Sequence, residues 1–242
     1  MQLIITFSSN NEITLPIASN SVVQGLIYNA LRSDSSFSFY LHERGTFSSG
    51  HNYKLFNFSE IKGKYRVENK TIIYTSPISI TIRSCEAYFI QLLLSVFTRG
   101  KEIMLHNNRV TVADIKLFDE IIYSEKIKVR TLSPITVYVT DKSGHTLYYS
   151  PEDKDFFDGI IRNARRKFMG FFGNEDGFAL QITPCAGKRF IKRATRFKDT
   201  FITAWHGEFE LTGSIKTLNF LYNTGLGSKN SQGFGMFELM NV

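Results

Sequence analysis

The feature that most constrains the fold is an order of strand and helix patterns that occurs once in each half of the chain. In the first half, apolar residues at 3, 5 and 7 predict a strand, and a helical stripe over 22–31 predicts a helix. The alternation at 78–82 predicts another strand, a second helix follows over 84–99, and residues 110–118 can close the unit. This order is typical of the β-α-β-β-α-β, or ferredoxin-like, plan.

The second half repeats the order without repeating the sequence. Ile135, Val137 and Val139 alternate with polar residues, as on a strand, and apolar residues from Phe156 to Phe168 form a helical stripe. Further elements are predicted as strands at 179–184, 189–195, 200–212 and 233–240 and a short helix at 214–222. We therefore predict an α+β chain of two tandem ferredoxin-like (RRM-like) domains, residues 1–122 and 123–242.

Polar residues predict where the helices begin. Asn20 and Ser21 offer an N-cap to the first helix, and Ser84 offers one to the second. The segment Ser150-Pro151-Glu152-Asp153 combines a cap, a proline at the first helical position and two acids that favour the helix dipole.

The charge balance favours a polyanionic partner. The net charge is +7, and residues 121–242 hold 17 of the 29 lysines and arginines against 12 acids. A basic chain with 14 % aromatic residues suits nucleic acid, although a solvated basic surface would give the same composition. The two cysteines, Cys85 and Cys185, are too few for a disulfide scaffold or a thiolate zinc site. We expect no metal site and no cofactor.

No segment of the sequence is typical of export or of a membrane anchor. The N-terminus lacks the basic region and the cleavage site of a signal peptide. The most apolar stretch, residues 88–97, is about half as long as a bilayer requires. We expect a cytoplasmic protein without a membrane partner.

A glycine-rich segment near the C-terminus, residues 225–235, is the most unusual part of the chain and is called the glycine loop below. Glycine lets the backbone approach a ligand closely, and successive N–H groups can hold phosphate oxygens. The alternative is a connection with glycine caps. We predict phosphate contacts from Gly225, Gly227, Lys229, Asn230, Ser231, Gly233 and Gly235.

The densest basic run, residues 188–198, holds six cations and no acid. Because strand alternation sends neighbouring side chains to opposite faces, not all of them can contact one ligand. We predict phosphate contacts from Lys188, Arg189, Lys192, Arg193 and Arg196. A second basic group, Arg162, Arg165, Arg166 and Lys167, can equally be a solvated helix face.

The glycine loop, followed by a final strand, resembles the signature of the CRISPR-associated repeat-processing endoribonucleases, members of the RAMP superfamily. Other segments resemble that family in the expected order: residues 24–30, 40–43, 54–59, 132–135 and 203–205. The resemblance implies a metal-independent endoribonuclease that cuts CRISPR precursor transcripts within their repeats. It implies CRISPR repeat RNA as the partner, and leaves open other CRISPR-associated proteins and a second copy of the chain. A non-catalytic relative that only holds RNA is the alternative.

The same resemblance implies that Tyr28, His42 and Lys54 supply the acid, the base and the positive charge for attack by a ribose 2′-OH. Tyr28 falls on the polar face of the first predicted helix. His42 follows an alternation at residues 37–41 that is typical of a short strand, and Lys54 stands at a strand start. His51, in a glycine-containing loop, is the alternative histidine.

Overall fold

The computed structural model describes residues 1–41, 45–48, 50–100, 102–197 and 200–240. The helices are α1 (Asn20–Leu31), α2 (Ser35–Phe39), α3 (Ala87–Phe97), α4 (Lys154–Phe172) and α5 (Ile215–Thr224), with a 3-10 turn at Asn230–Gln232. The strands of the first half are β1 (Gln2–Ser8), β2 (Ile13–Pro16), β3 (Thr46–Ser48), β4 (His51–Tyr53), β5 (Phe56–Phe58), β6 (Lys62–Glu68), β7 (Thr71–Ser84), β8 (Ile103–Leu105) and β9 (Asn108–Phe118). The strands of the second half are β10 (Lys126–Thr131), β11 (Tyr138–Thr140), β12 (Thr146–Tyr148), β13 (Leu180–Pro184), β14 (Ile191–Phe197), β15 (Thr200–His206), β16 (Glu208–Gly213) and β17 (Phe237–Leu239).

The first unit is an antiparallel sheet that carries α1 and α3. Strand β1 lies between β7 and β9, with Leu3 opposite both Ile82 and Leu117. Strands β5 and β6 pair with the other edge of β7, whereas β2 follows β1 along the same edge. Leu3 and other apolar residues of β1 are fully buried together with the apolar stripe of α1, because the alternation directs them to the helix side of the sheet.

The second unit has the strand order β13-β16-β10-β17 and carries α4 and α5. The β14–β15 hairpin is inserted between β13 and β16 and forms a separate two-stranded sheet. Both units have the order of the ferredoxin-like plan, and the predicted α+β fold of two tandem ferredoxin-like domains is confirmed. The predicted boundary lies in the segment between β9 and β10, and stays a prediction.

The predicted strand at residues 37–41 is wrong, because this segment begins as the helix α2. The side chain of Asp34 caps that helix by accepting a hydrogen bond from the amide of Phe37 at 2.9 Å. The capping hydrogen bond therefore outweighs the strand preference that the alternating phenylalanines indicate.

The strand predicted at Ile135, Val137 and Val139 is found only at its end, where Val139 lies in β11. The sheet of the second unit begins in chain order with β10, one of its two central strands, and Ile135 makes only an isolated bridge to Trp205. Strand β10 was not predicted, although Lys126, Lys128 and Arg130 alternate with less exposed residues, as on a half-buried strand. The region predicted as one strand over 200–212 is two strands, β15 and β16, separated by Gly207.

Several predicted ends shift by a few residues. Helix α1 has Ser19 at its N-cap, and α3 has Glu86, whose amide donates to the Ser84 hydroxyl at 3.0 Å. Helix α4 begins only after Asp153, because Ser150 and Asp153 close a turn before it. The predicted strand over 233–240 shortens to β17, since its first residues belong to the glycine loop.

A buried arginine joins the two units. Arg83, at the end of β7, is 2 % exposed and stacks on the ring of Tyr222 in α5, 3.6 Å from its centroid. Its guanidinium also donates to the carbonyl of Phe237 and to the side chain of Gln2. Burial lowers the pKa of Arg83 to about 10. Within the described residues, none of the helices is both long and apolar enough to span a bilayer.

Candidate functional site

Two of the three predicted catalytic residues lie together. Tyr28 is half-buried on α1, and its ring meets the ring of Phe56 edge to face with centroids 6.2 Å apart. Lys54 lies between β4 and β5, and its ammonium is 5.5 Å from the centroid of the Tyr28 ring. Lys54 lies two residues before β5, which pairs with β7, so the first unit alone supplies both groups.

The protonation state of Tyr28 limits its chemistry. Desolvation by burial raises the pKa of its phenol to about 12. The hydroxyl is therefore protonated at neutral pH and is a hydrogen-bond and proton donor. It is not a ready base, because the phenolate is scarce below that pKa.

His42 lies outside the described residues. Leu41, the last described residue before it, is 1 % exposed in the core of the first unit. His51, the alternative, is exposed on the short strand β4, with its ring 6.3 Å from that of Tyr53. Which histidine serves the site stays a prediction.

The glycine loop lies against the helix that carries Tyr28. The Asn20 side chain donates to the carbonyls of Gln232 and Gly233 at 2.9 and 3.1 Å. Gln24, one turn before Tyr28, donates to the carbonyl of Ser231 at 2.7 Å. Asn20 thus binds the loop and not its own helix end. These bonds connect the second unit to the candidate site in the first.

The glycines of this loop are required by packing. At Gly233 the backbone has φ +83°, and a Cβ would lie 2.4 Å from the ring of Phe58. At Gly235 a Cβ would lie 1.8 Å from the carbonyl oxygen of Leu226. The backbone could not keep this path with any larger residue at either position.

A buried lysine holds the loop from inside. Lys167 of α4 is 2 % exposed, and its ammonium donates to the carbonyl of Gly225 at 2.7 Å and to Oδ1 of Asn230 at 2.8 Å. The side-chain Nδ2 of Asn230 donates in turn to the carbonyls of Leu226 and Phe234. Desolvation lowers the pKa of Lys167 to about 7.

Sequence reasoning missed this role of Lys167, which it grouped with surface cations. The signal was present, because Lys167 lies seven residues after Ile160 and three after Ala164, within the apolar stripe. The second basic group is therefore not one solvated face. Arg165, another member, pairs with Glu175 at 3.1 Å.

The burial of the loop residues divides the predicted RNA contacts into two groups. Gly225, Gly227, Gly233, Gly235 and Asn230 are buried, and both amide donors of Asn230 are used within the loop. Lys229 and Ser231 are only half-buried, and Lys229 lies 4.8 Å from the centroid of the Tyr138 ring. Contact of these residues with RNA stays a prediction.

The described part of the predicted basic run, residues 188–197, falls on β14 and the turn before it, and Lys198 lies outside the described residues. Lys188 pairs with Glu208 at 3.2 Å. Along β14 the cations divide between faces, since Lys192 and Arg196 share a face with Phe201 whereas Arg193 lies opposite Ala204. The exposed cations are Lys188, Arg189, Lys192, Arg193 and Arg196.

Comparisons with known proteins point to one family. The sequence profile described as "CRISPR associated protein Cas6, C-terminal" matches residues 116–239. The CRISPR-associated endoribonuclease Cas6 of Pyrococcus furiosus is 29 % identical over 224 residues, which cover 90 % of this chain and 80 % of that protein. The CRISPR-associated endoribonuclease Cas6 2 of Methanocaldococcus jannaschii is 25 % identical over 261 residues, which cover 98 % of this chain and 99 % of that protein.

Solved structures share the fold over the whole chain. One described as "Characterization of a Cas6-related gene from Pyrococcus furiosus" has a TM-score of 0.86 at 21 % identity and covers 100 % of this chain and 98 % of its own. Another, "An RAMP protein binding different RNA substrates", has a TM-score of 0.84 at 22 % identity and covers 100 % of both chains. Because the profile spans slightly more than half of the sequence and the related endoribonucleases align over nearly all of it, the chain belongs to the Cas6 family of CRISPR-associated endoribonucleases.

Proposed function

We propose that this chain cleaves CRISPR precursor transcripts within their repeats and releases guide RNAs, without a metal ion. A ribose 2′-OH attacks the adjacent phosphate, the bond to the 5′-oxygen breaks, and the products carry a 2′,3′-cyclic phosphate and a 5′-OH. The observation that supports this most is the proximity of the Lys54 ammonium to Tyr28, at 5.5 Å from its ring, in a chain of an endoribonuclease family.

The reaction needs three groups, and the chain offers a candidate for each. A base must remove the proton of the 2′-OH, an acid must protonate the leaving 5′-oxygen, and a positive charge must stabilise the phosphorane. Tyr28 suits the acid, since its raised pKa of about 12 keeps the phenol protonated. His42 suits the base, because a histidine is largely neutral at pH 7. Lys54 suits the stabilising charge.

The exposed cations of the β14–β15 hairpin are the strongest candidates for contacts with RNA phosphates, and the half-buried Lys229 and Ser231 come next. In this proposal the buried glycines and Asn230 act by shaping the loop that lies on α1. Each lost phosphate contact should make RNA binding less dependent on salt.

The test is a cleavage assay in EDTA. A labelled repeat RNA is compared with a copy that carries a single 2′-deoxy substitution at the cut site. We expect cleavage of the first and none of the second. His42→Ala and Tyr28→Phe should each reduce the single-turnover rate by about 10²–10⁴-fold. His51→Ala is the matched control for the histidine, and Lys64→Ala, an exposed lysine on β6, is the control for Lys54→Ala.

Each of the other outcomes would favour a different alternative or rule out one part of the proposal. Binding of the repeat without cleavage would favour the non-catalytic alternative. Cleavage of the 2′-deoxy copy would rule out attack by the 2′-OH, and loss of cleavage in EDTA would rule out metal independence. Loss of activity in His51→Ala with retention in His42→Ala would reassign the histidine.

A further inference from the structure

The outer face of the β14–β15 hairpin combines an exposed aromatic ring with two cations. The register pairs Lys192 with Trp205, Ala194 with Thr203, and Arg196 with Phe201. Directly paired residues of antiparallel strands lie side by side on one face. Phe201 is 73 % exposed, and the Arg196 guanidinium lies 5.9 Å from the centroid of its ring.

Two cations lie on this face of the hairpin, one toward each end. The small residues Ala194 and Thr203 separate the two cations, which lie four residues apart on β14, or about 13 Å along the strand. Among the described residues 188–197 there are five cations and no acid. No described carboxylate forms an ion pair with Lys192. The face is therefore covered at the Lys192 end, where Trp205 is 7 % exposed, and open at the other end, where Arg196 lies beside the Phe201 ring.

The other face holds the hairpin in place. Phe197, Ile202 and Ala204 form a small core with Phe234 of the glycine loop. The hydroxyl of Tyr148 donates to the backbone carbonyl of Phe201 at 3.1 Å. The Phe201 ring thus projects from a supported backbone, and its exposure is not explained by any packing among the described residues.

We infer that Phe201 is a stacking platform for an unpaired base of the bound RNA, with Lys192 and Arg196 holding the flanking phosphates. The inference rests on the proposed function and adds to it the kind of RNA bound at this surface. A paired RNA helix presents phosphates and a major groove too narrow for side chains, and would gain nothing from a phenyl ring. An unpaired base stacks on such a ring, and phosphates on both sides suit the two cations.

The test is binding of a non-cleavable RNA, measured by fluorescence anisotropy. The RNA carries the 2′-deoxy substitution and is used both single-stranded and annealed to its complement. Phe201→Ala should weaken binding of the single strand by about 10- to 100-fold and change binding of the duplex by less than about twofold. Phe201→Trp should bind the single strand about as tightly as wild type, and its tryptophan fluorescence should be quenched on binding. Phe201→Leu should bind the single strand as weakly as Phe201→Ala. Tyr123→Ala, which removes a ring that is 79 % exposed on the linker between β9 and β10, is the matched control and should have no effect.

Salt dependence separates the ring from the cations. Lys192→Ala should reduce the slope of log K against log salt by about 0.7, the value for one phosphate of a single strand, and Phe201→Ala should leave the slope unchanged. If Phe201→Ala weakens binding of the single strand and the duplex equally, or if Phe201→Leu binds the single strand as tightly as wild type, the stacking proposal alone is overturned. A wild-type chain that binds no RNA would overturn the proposed function together with it.

Discussion

Replacing Lys167 by methionine tests the buried network that holds the glycine loop. The methionine keeps most of the side-chain volume but leaves the carbonyl of Gly225 and Oδ1 of Asn230 without their buried donor. Each unsatisfied acceptor costs about 1–3 kcal/mol. The substitution also relieves the cost of burying an ammonium, which is several kcal/mol. The two effects oppose each other, so we expect the variant to differ from wild type by no more than about 2 kcal/mol at pH 7.

The pH dependence is more decisive. The pKa of Lys167 is about 7 in the folded chain and 10.5 in the unfolded chain. Between these values the unfolded state binds more protons, so the free energy of unfolding of wild type rises with pH by about 1.4 kcal/mol per unit. The methionine variant lacks this gain. Cys85, the neighbouring titratable group, stays neutral because burial raises its pKa to about 12.

The assay is urea denaturation at pH 7.5 and 9.5, supported by thermal melting. The difference in free energy of unfolding between wild type and Lys167→Met should grow by about 2–3 kcal/mol in favour of wild type. This corresponds to about 5–10 °C in Tm for a chain of this size. Arg162→Met removes an exposed cation from the same helix and should show no such growth. A difference that is constant with pH would refute the assignment of Lys167 as a buried, titrating group.

Three further predictions concern contacts that join the two units. Arg83→Met leaves buried acceptors at the contact between the units, and should lower the free energy of unfolding by about 2–5 kcal/mol in urea denaturation. Gly233→Ala forces a Cβ to within 2.4 Å of an aromatic ring and should lower Tm by several degrees more than Gly50→Ala, which has a similar φ of +79° but open space around it. Asn20→Ala and Gln24→Ala each remove side-chain bonds to the glycine loop, and should slow single-turnover cleavage about tenfold while costing only about 1 kcal/mol of stability; equal loss of rate and stability would contradict a positioning role.

Local patterns predicted the fold because each unit follows its own periodicity. Leu3 and its neighbours alternate on β1, and the stripes of α1 and α4 are buried as expected. Prediction failed where a short polar contact decides the outcome, as at Asp34, whose cap turns an apparent strand into helix α2. A single hydrogen bond in the first turn is enough to change such a short segment, because neither alternative buries much surface.

The candidate site was predictable only in part, because its contacts join distant parts of the chain. The pairing of Tyr28 with Lys54 agrees with the resemblance to a family, but no local periodicity connects the two residues. The bonds from Asn20 and Gln24 to the glycine loop span more than 200 residues. A run of glycines predicts close approach of the backbone. It does not say whether the approaching group is a ligand or, as in this loop, another part of the same chain.

The insertion point of the β14–β15 hairpin has an evolutionary consequence. Strands β13 and β16 pair directly with each other, from Leu180 opposite Gly213 to Pro184 opposite Phe209. The inserted segment therefore leaves and re-enters the sheet between neighbouring strands at one end. Its length and charge can drift without shifting the register of the sheet. Selection for recognition can act on the exposed residues of this segment, while selection for folding acts on the rest of the unit and on the residues that pack the segment against the glycine loop.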